Sequence, residues 1–448
     1  MGKIYRIAVG EIPSVIDPYR SIYAINGVVA MQLYTPMFQI SPSGDLASVY
    51  LDLQKSRAED ATFRKFSFCL KSNIHFSDGS PIEADDLLNS LKQSHEFNHD
   101  LPPIVSSDIS DRCVSVVLER PDPDYFYRLT TIQSAITKEN NSDNKLGPIG
   151  FGKYKIEEKT AQHLIMTSVP DAFHGDFDKL EFLIVKSMDE GRKAGVMDWN
   201  HYPSTNLSPQ EIASLTEIRR PVTNSLMVFV KVKDESLRKR IASCLPIEKI
   251  RSAVNWFELT DIPALLPRGV LGWDASAAEL QACSPVEDSD KLSLPFYIHK
   301  ADRVAPFQQV FDSAKDFPVR IKSEFVDGGT LPHKHSNPNE EYISIIFVAS
   351  MGWAPSSFFN RFIGPERMIL PVPVDGLSEQ VKSISTTFEP EARRQIIGKC
   401  QSMLLESGYL APLGQIVMKR YYQKNVGNIN WFERSDGVPD FGSFKDQR

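Results

Sequence analysis

The sequence predicts a mixed α/β protein built from more than one lobe. Three observations carry that expectation. Short period-two apolar runs alternate irregularly with runs of helical period, several strands read as continuous apolar stretches of a buried sheet, and the texture turns helical after Val232. With 448 residues, the chain has room for two or three domains.

The elements follow in order. Lys3–Val9 alternates as a strand, and Phe66, Phe68 and Leu70 share one face of a strand over Phe63–Lys71. Asp78-Gly79 then makes a turn. Ser80 is the predicted N-cap, Pro81 the first helical residue and Glu83 the capping-box partner of a helix running through Leu87, Leu88 and Leu91. Val114–Leu118 reads as a strand, Tyr154–Ile156 and His163–Thr167 as a hairpin, and Glu181–Lys186 and Ser225–Val232 as buried strands. Leu237, Ile241 and Leu245, then Ile247, Ile250 and Val254, predict two helices split at Pro246. Ile343–Ala349 is a candidate central strand. Glu391–Glu406 is an amphipathic helix with Ile396, Ile397, Met403 and Leu404 inward. Glu139–Gly152, Ser284–Lys291 and Asp327–Glu340 read as loops, so the lobes are expected to interleave in sequence rather than follow a flexible linker.

Composition narrows the function. A formal net charge of −7 leaves no global basic field for nucleic acid or anionic membrane. The most apolar window, Ile25–Ile40, is interrupted by Asn26, Gln32 and Pro36, well short of a membrane span. Met1-Gly2-Lys3-Ile4 leads straight into an alternating pattern with no signal-peptide core, so the expectation is either a cytoplasmic chain or an exported one whose signal has been removed. Five cysteines, scattered singly, argue against a disulfide framework and a structural zinc site; Cys69 and Cys400 fit buried apolar positions.

Several motifs reduce to structure. Gly147-Pro148-Ile149-Gly150-Phe151-Gly152-Lys153 nearly matches a phosphate loop, but Tyr154 replaces the hydroxyl and a strand replaces the helix, leaving a structural glycine turn. His333-Lys334-His335 lacks further ligands, so no metal and no cofactor is expected. Asp85-Asp86 and Glu340-Glu341 point their carboxylates to different sides, and no G-x-S-x-G or H-E-x-x-H occurs, so no enzyme is implied. Arg238-Lys239-Arg240 reads as a solvated helix face and Lys419-Arg420-Tyr421-Tyr422 as an exposed strand end. Trp353 stands apart. In Met351-Gly352-Trp353-Ala354-Pro355-Ser356-Ser357-Phe358-Phe359 it follows a buried strand beside small polar residues, which suits a ligand cleft.

Taken together, ordered segments resemble the family 5 extracytoplasmic solute-binding proteins, the peptide- and nickel-type receptors of ABC importers. They include Ile16-Asp17-Pro18, Leu33–Phe38 through Gly44-Asp45-Leu46, Phe66–Lys71, Ile74–Pro81 and Ala84–Leu87. Gly150–Tyr154, Val169–Gly175, Leu237–Ile241, Ile247–Ile250, Leu265–Gly269 and Tyr409–Leu413 continue the family's order.

The resemblance implies a two-lobe periplasmic-binding-protein-like fold (type II, cluster C-like) with an extra inserted domain. Lobe one would be 1–44, 153–232 and 427–448, the extra domain 45–152 and the second lobe 233–426, with hinge crossings near Val232 and Val426. It implies a receptor that captures a small solute between its lobes by hinge closure and passes it to a membrane permease. A periplasmic or extracytoplasmic monomer follows, a cytoplasmic sensor or scaffold that kept the fold being the alternative. The ligand residues it implies are Tyr23, Ala24, Trp353, Ser356 and Phe358. Peptide receptors of the family carry an aspartate where Ser356 stands and, in oligopeptide members, an arginine at Ser350 and a glutamate at Ile22. Burying a peptide's ammonium without a carboxylate is costly, so an oligopeptide-like, sugar or other neutral ligand fits better than a free zwitterionic peptide.

Overall fold

A computed structural model describes residues 3–9, 11–20, 24–40, 46–98, 101–139, 147–169, 175–201, 207–254, 258–260, 265–266, 270, 283, 292–298, 303–326, 334, 337, 339–349, 354–363, 370, 373–387, 389–429 and 440–447. The chain forms two compact units: Met1–Arg220 with Lys419–Arg448, and Pro221–Met418. It passes from one to the other inside two long strands, Thr216–Lys231 and Leu410–Tyr422.

The first unit has two cores. In one, strand Ile4–Val9 runs parallel to Lys179–Ile184 and to Asp198–His201, and the hairpin Tyr154–Lys159/His163–Ser168 extends the sheet. Tyr5, Ile7 and Val9 pack with Val28, Val29 and Met31 of helix Ala24–Leu33, while Ala8 turns to the opposite face with Trp199. That is the two-residue period of a sheet covered on both sides. The other core lies over a four-stranded antiparallel sheet, Arg57–Ala58, Lys65–Cys69, Cys113–Leu118 and Ile104–Ser110. Leu87 and Leu91 of helix Ala84–Phe97 close it against Phe66, Phe68, Val114 and Val116.

The glycine run sits between these cores. Gly147 adopts φ +90°, and an added Cβ would stand 2.0 Å from the Ile16 carbonyl oxygen; at Gly150 it would strike the Tyr34 ring at 2.2 Å. Close backbone approach requires these glycines, and Lys153 is spent on Asp440 (2.6 Å). The phosphate-loop likeness is a packing turn.

In the second unit, strands Tyr342–Ala349, Ser293–Ile298 and Arg320–Phe325 run parallel, and Tyr342–Ala349 pairs antiparallel with Asn224–Lys231. Both faces are covered. Met227, Phe229, Tyr342, Ile346 and Val348 meet helices Pro355–Ile363, Leu377–Ile384 and Pro390–Glu406. Leu226, Val228, Val230, Ile343 and Ile345 meet helices Glu235–Cys244, Ile247–Ala253 and Val304–Asp312. This is why the strands read as unbroken apolar runs.

Three expectations need correction. Ser80 does not cap a helix: the helix begins at Ala84 with Glu83 as N-cap, and the Asp86 carboxylate accepts the Glu83 amide (2.9 Å). Ser80 instead donates to Asp78 (2.7 Å), and Pro81 bridges to His75. The cysteines are not scattered thiols. Cys69 bonds Cys113 and Cys244 bonds Cys283, leaving Cys400 free and buried; sequence separations of 44 and 39 hide pairs that folding brings together. The basic runs are not wholly solvated either. Arg238 and Arg420 are buried, as are Tyr421 and Tyr422; for Arg238, backbone carbonyls and the Tyr409 ring supply what water would.

Candidate functional site

The strand Tyr342–Ala349 organises the candidate site within the second unit. Its aromatic start and apolar body fix it in the sheet, and helix Pro355–Ile363 is the next described element of the chain. Carboxyl ends of strands in α/β sheets are where ligands usually bind.

Ser356 lies in the first turn of that helix and is buried at 1 % exposure, next to the equally buried Ser357. Phe358 is fully buried in the core, edge-on to Phe359 (5.3 Å) and tilted against Phe362 (5.4 Å). Ala24 opens helix Ala24–Leu33 of the first unit. Tyr23 and Trp353 lie outside the described residues, as do His333 and His335. Ser356 and Phe358 are thus brought onto one short helix, with the polar residue at its start and the ring turned into the core.

Charge collects at the other end of the strand. The Lys334 ammonium donates to the Tyr297 hydroxyl (3.1 Å) and to the Glu340 carboxylate, and Tyr297 donates to Glu340 (2.7 Å). Lys231, buried, donates to the carbonyls of Lys334 (2.8 Å) and Asn337 (2.5 Å) and faces the Tyr342 ring. Burial would raise the Glu340 carboxyl, but the bonds from Lys334 and Tyr297 outweigh it and hold it below the usual carboxylate range. The bonded Glu340, then Tyr297, holds the Lys334 ammonium above its usual range. The Lys334 and Glu340 charges pair, carbonyls and a ring face meet the Lys231 charge, and the set fastens the connection that precedes the strand. Sequence reasoning missed this clasp; its one local signal is Lys231 inside the apolar run Leu226–Val232.

Among the described residues, no group of three His, Cys, Asp or Glu side chains is placed to hold a metal, and no helix is long and apolar enough to cross a membrane. Among the described residues past the strand's carboxyl end, helix Pro355–Ile363 sets two buried hydroxyls, Ser356 and Ser357, in its first turn and ends with Arg361 in its last.

The fold has counterparts among solved substrate-binding proteins. Residues 48–259 match the profile of the bacterial extracellular solute-binding proteins, family 5 Middle. The fold over the whole chain is similar to the ABC transporter substrate-binding protein CtaP from Listeria monocytogenes, with TM-score 0.81 at 16% identity and 100% of each chain covered. It is also similar to NikA from Brucella suis in complex with Fe(III)-EDTA, with TM-score 0.79 at 12% identity and 99% of each covered. A dipeptide-binding protein from Pseudoalteromonas sp. SM9913 in complex with Met-Leu gives TM-score 0.76 at 14% identity, with 100% of this chain and 100% of that one covered. No curated protein sequence matches the chain. Over residues 48–259 the sequence is thus similar to the family 5 solute-binding proteins, the class that serves ABC importers as receptor, and the fold of the whole chain is similar to that of solved substrate-binding proteins. Proteins of this class bind peptides or other small ligands, work with ABC permeases outside the cytoplasm and act without covalent chemistry.

Proposed function

We propose that this protein is the extracytoplasmic receptor of an ABC importer, that it works as a monomer and that it captures a neutral solute by hinge closure without catalysing a reaction. Lobe one comprises 1–44, 153–232 and 427–448, the extra domain 45–152, and the second lobe 233–426, bounds that set both lobe limits past the compact-unit limits at Arg220 and Met418. Tyr23, Ala24, Trp353, Ser356 and Phe358 form the ligand residues: Trp353 stacks on the solute, Ser356 offers a neutral hydrogen bond, and Phe358 backs the site from the core. Trp353 stacking on a ring contributes about 1 kcal/mol beyond burial.

One observation carries the choice of ligand. Ser356, at 1 % exposure, occupies the buried position at which the family resemblance sets an aspartate in peptide receptors. A peptide ammonium buried against a hydroxyl lacks its counter-charge, at a cost of several kcal/mol. A sugar, a capped peptide or another uncharged, ring-bearing solute avoids it. The two disulfides favour an oxidising compartment over the cytoplasmic sensor reading.

Titration calorimetry with free dipeptides, capped dipeptides and mono- and disaccharides tests the proposal. The expected result is binding confined to the uncharged solutes and weakened at least tenfold by Trp353→Ala. Tight binding of free di- or tripeptides that survives Trp353→Ala overturns it.

A further inference from the structure

The second chain passage between the units runs through strand Leu410–Tyr422, with the boundary at Met418–Lys419. That strand neighbours the other crossing strand, Thr216–Lys231, and on the second-unit side it also has a short companion. Glu258–Leu259 pairs antiparallel with Ile416–Val417, one residue before the boundary. The Thr260 amide donates to the Gln415 carbonyl (2.9 Å), and the Gln415 amide donates to the Thr260 hydroxyl (3.2 Å). Arg251 ties the two segments, donating to the carbonyls of Leu413 (2.7 Å) and Thr260 (3.0 Å). The approach is close enough that a Cβ on Gly414, at φ +140°, would stand 2.7 Å from the Thr260 carbonyl oxygen.

Every residue of this brace on the 251–260 side lies inside one covalent loop. The disulfide Cys244–Cys283 closes it, from the end of helix Glu235–Cys244 to an exposed cysteine. The other disulfide differs: Cys69 is buried, and its partner sits directly across a sheet. A loop tied at its base samples fewer conformations, so its short strand stays docked more of the time. Hinges absorb rotation in a few residues, and the brace ends one residue short of the boundary.

We propose that the Cys244–Cys283 disulfide is a redox-sensitive control on this brace: oxidised, it holds Glu258–Thr260 against the crossing strand; reduced, it lets the brace undock and leaves residues 413–417 without that support beside the hinge. A dithiol reductant supplies the two electrons and two protons. Its thiolate attacks the exposed Cys283 sulfur, Cys244 leaves as thiolate and is protonated, and the mixed disulfide resolves to a free Cys283 thiol and an oxidised reductant. The effect on solute capture rests on the proposed hinge closure; the undocking itself does not.

Hydrogen–deuterium exchange on the full chain tests it, comparing oxidised protein, protein reduced natively with dithiothreitol, reoxidised protein, Cys244→Ser/Cys283→Ser and the control Cys69→Ser/Cys113→Ser. Expected are at least tenfold faster exchange over 258–260 and 413–417 in the reduced protein and in the first variant, recovery on reoxidation, and no change at those residues in the control. Alkylation during native reduction should label Cys244 and Cys283 before Cys69 and Cys113. Unchanged exchange at 258–260 and 413–417 after reduction, or earlier labelling of Cys69 and Cys113, overturns the proposal. The reduced wild type keeps the test decisive if the variant misfolds. Faster exchange in a protein that binds none of the solutes above would uphold the brace while sinking the receptor reading.

Discussion

The Arg238 guanidinium carbon stands 3.8 Å from the centre of the Tyr409 ring, inside the second unit. Its nitrogens donate to the carbonyls of Ser407 (2.8 Å), Val232 (2.8 Å) and Lys233 (3.3 Å). One side chain thus joins the end of the long strand to the turn that follows helix Pro390–Glu406. The fork matters as well as the charge, since a lysine reaches only part of this set. Arg238→Ala should lower stability by about 2–4 kcal/mol and Arg238→Lys by roughly half that. Urea unfolding of the purified protein measures both; equal stability of all three would remove the anchoring role.

Alkylation counts the cysteines directly. Two disulfides and one buried thiol mean that oxidised protein, denatured without reductant, takes up one alkyl group; after reduction it takes up five. Opening the 44-residue separation closed by Cys69–Cys113 should cost about 2–4 kcal/mol through the greater freedom of the unfolded chain. Intact-mass spectrometry reads the first expectation and thermal unfolding of Cys69→Ala/Cys113→Ala the second. Uptake of three or more groups without reductant would contradict the pairing.

The sequence made visible what has a local cause. Phe66 and Phe68 alternate because a strand does, and Leu226–Val230 is unbroken because helices cover both faces of its sheet. Pro246 separates two helices in sequence and in structure alike. Hidden were features made by partners far along the chain. Arg238 looked solvated because the Ser407 carbonyl that receives it lies 169 residues away. Cys69 looked unpaired until the register with Cys113 was known. At the site, Ser356 and Phe358 were named from family resemblance, whereas the burial of Phe358, Phe359 and Phe362 alike depends on helices 377–384 and 390–406, which share their core.

The C-terminal residues belong to the core of the first unit. Phe441 and Phe444 are fully buried against Tyr5, with ring centres 5.4 and 5.5 Å away. Lys153–Asp440 and Lys445–Asp176 fasten the segment at both ends. Removing the Phe441 ring leaves a cavity beside Tyr5, Phe182 and Phe444, so Phe441→Ala should cost about 3–5 kcal/mol, against less than about 1 kcal/mol for Lys445→Ala at the more exposed pair. Chemical denaturation of the two variants separates these. A mild effect of Phe441→Ala would mean that the segment is not integral to that core.

Acid should act on the first unit through His95. Its Nε2 lies 2.7 Å from the Tyr125 hydroxyl, and burial lowers its pKa to about 4. In the unfolded chain the imidazole regains its ordinary value near 6.5. Between these values the unfolded state binds a proton that the folded state refuses, so stability falls as pH drops from about 6.5 to about 4, and then levels with respect to this group. The loss should reach about 2–3 kcal/mol. His95→Asn removes the titration: it should be less stable than wild type at pH 7, where the Tyr125 bond is lost, and the gap should shrink steadily toward pH 4.5. Urea melts of both proteins at half-unit pH steps measure this. A gap that stays constant across the window would show that His95 is not the acid-sensitive group.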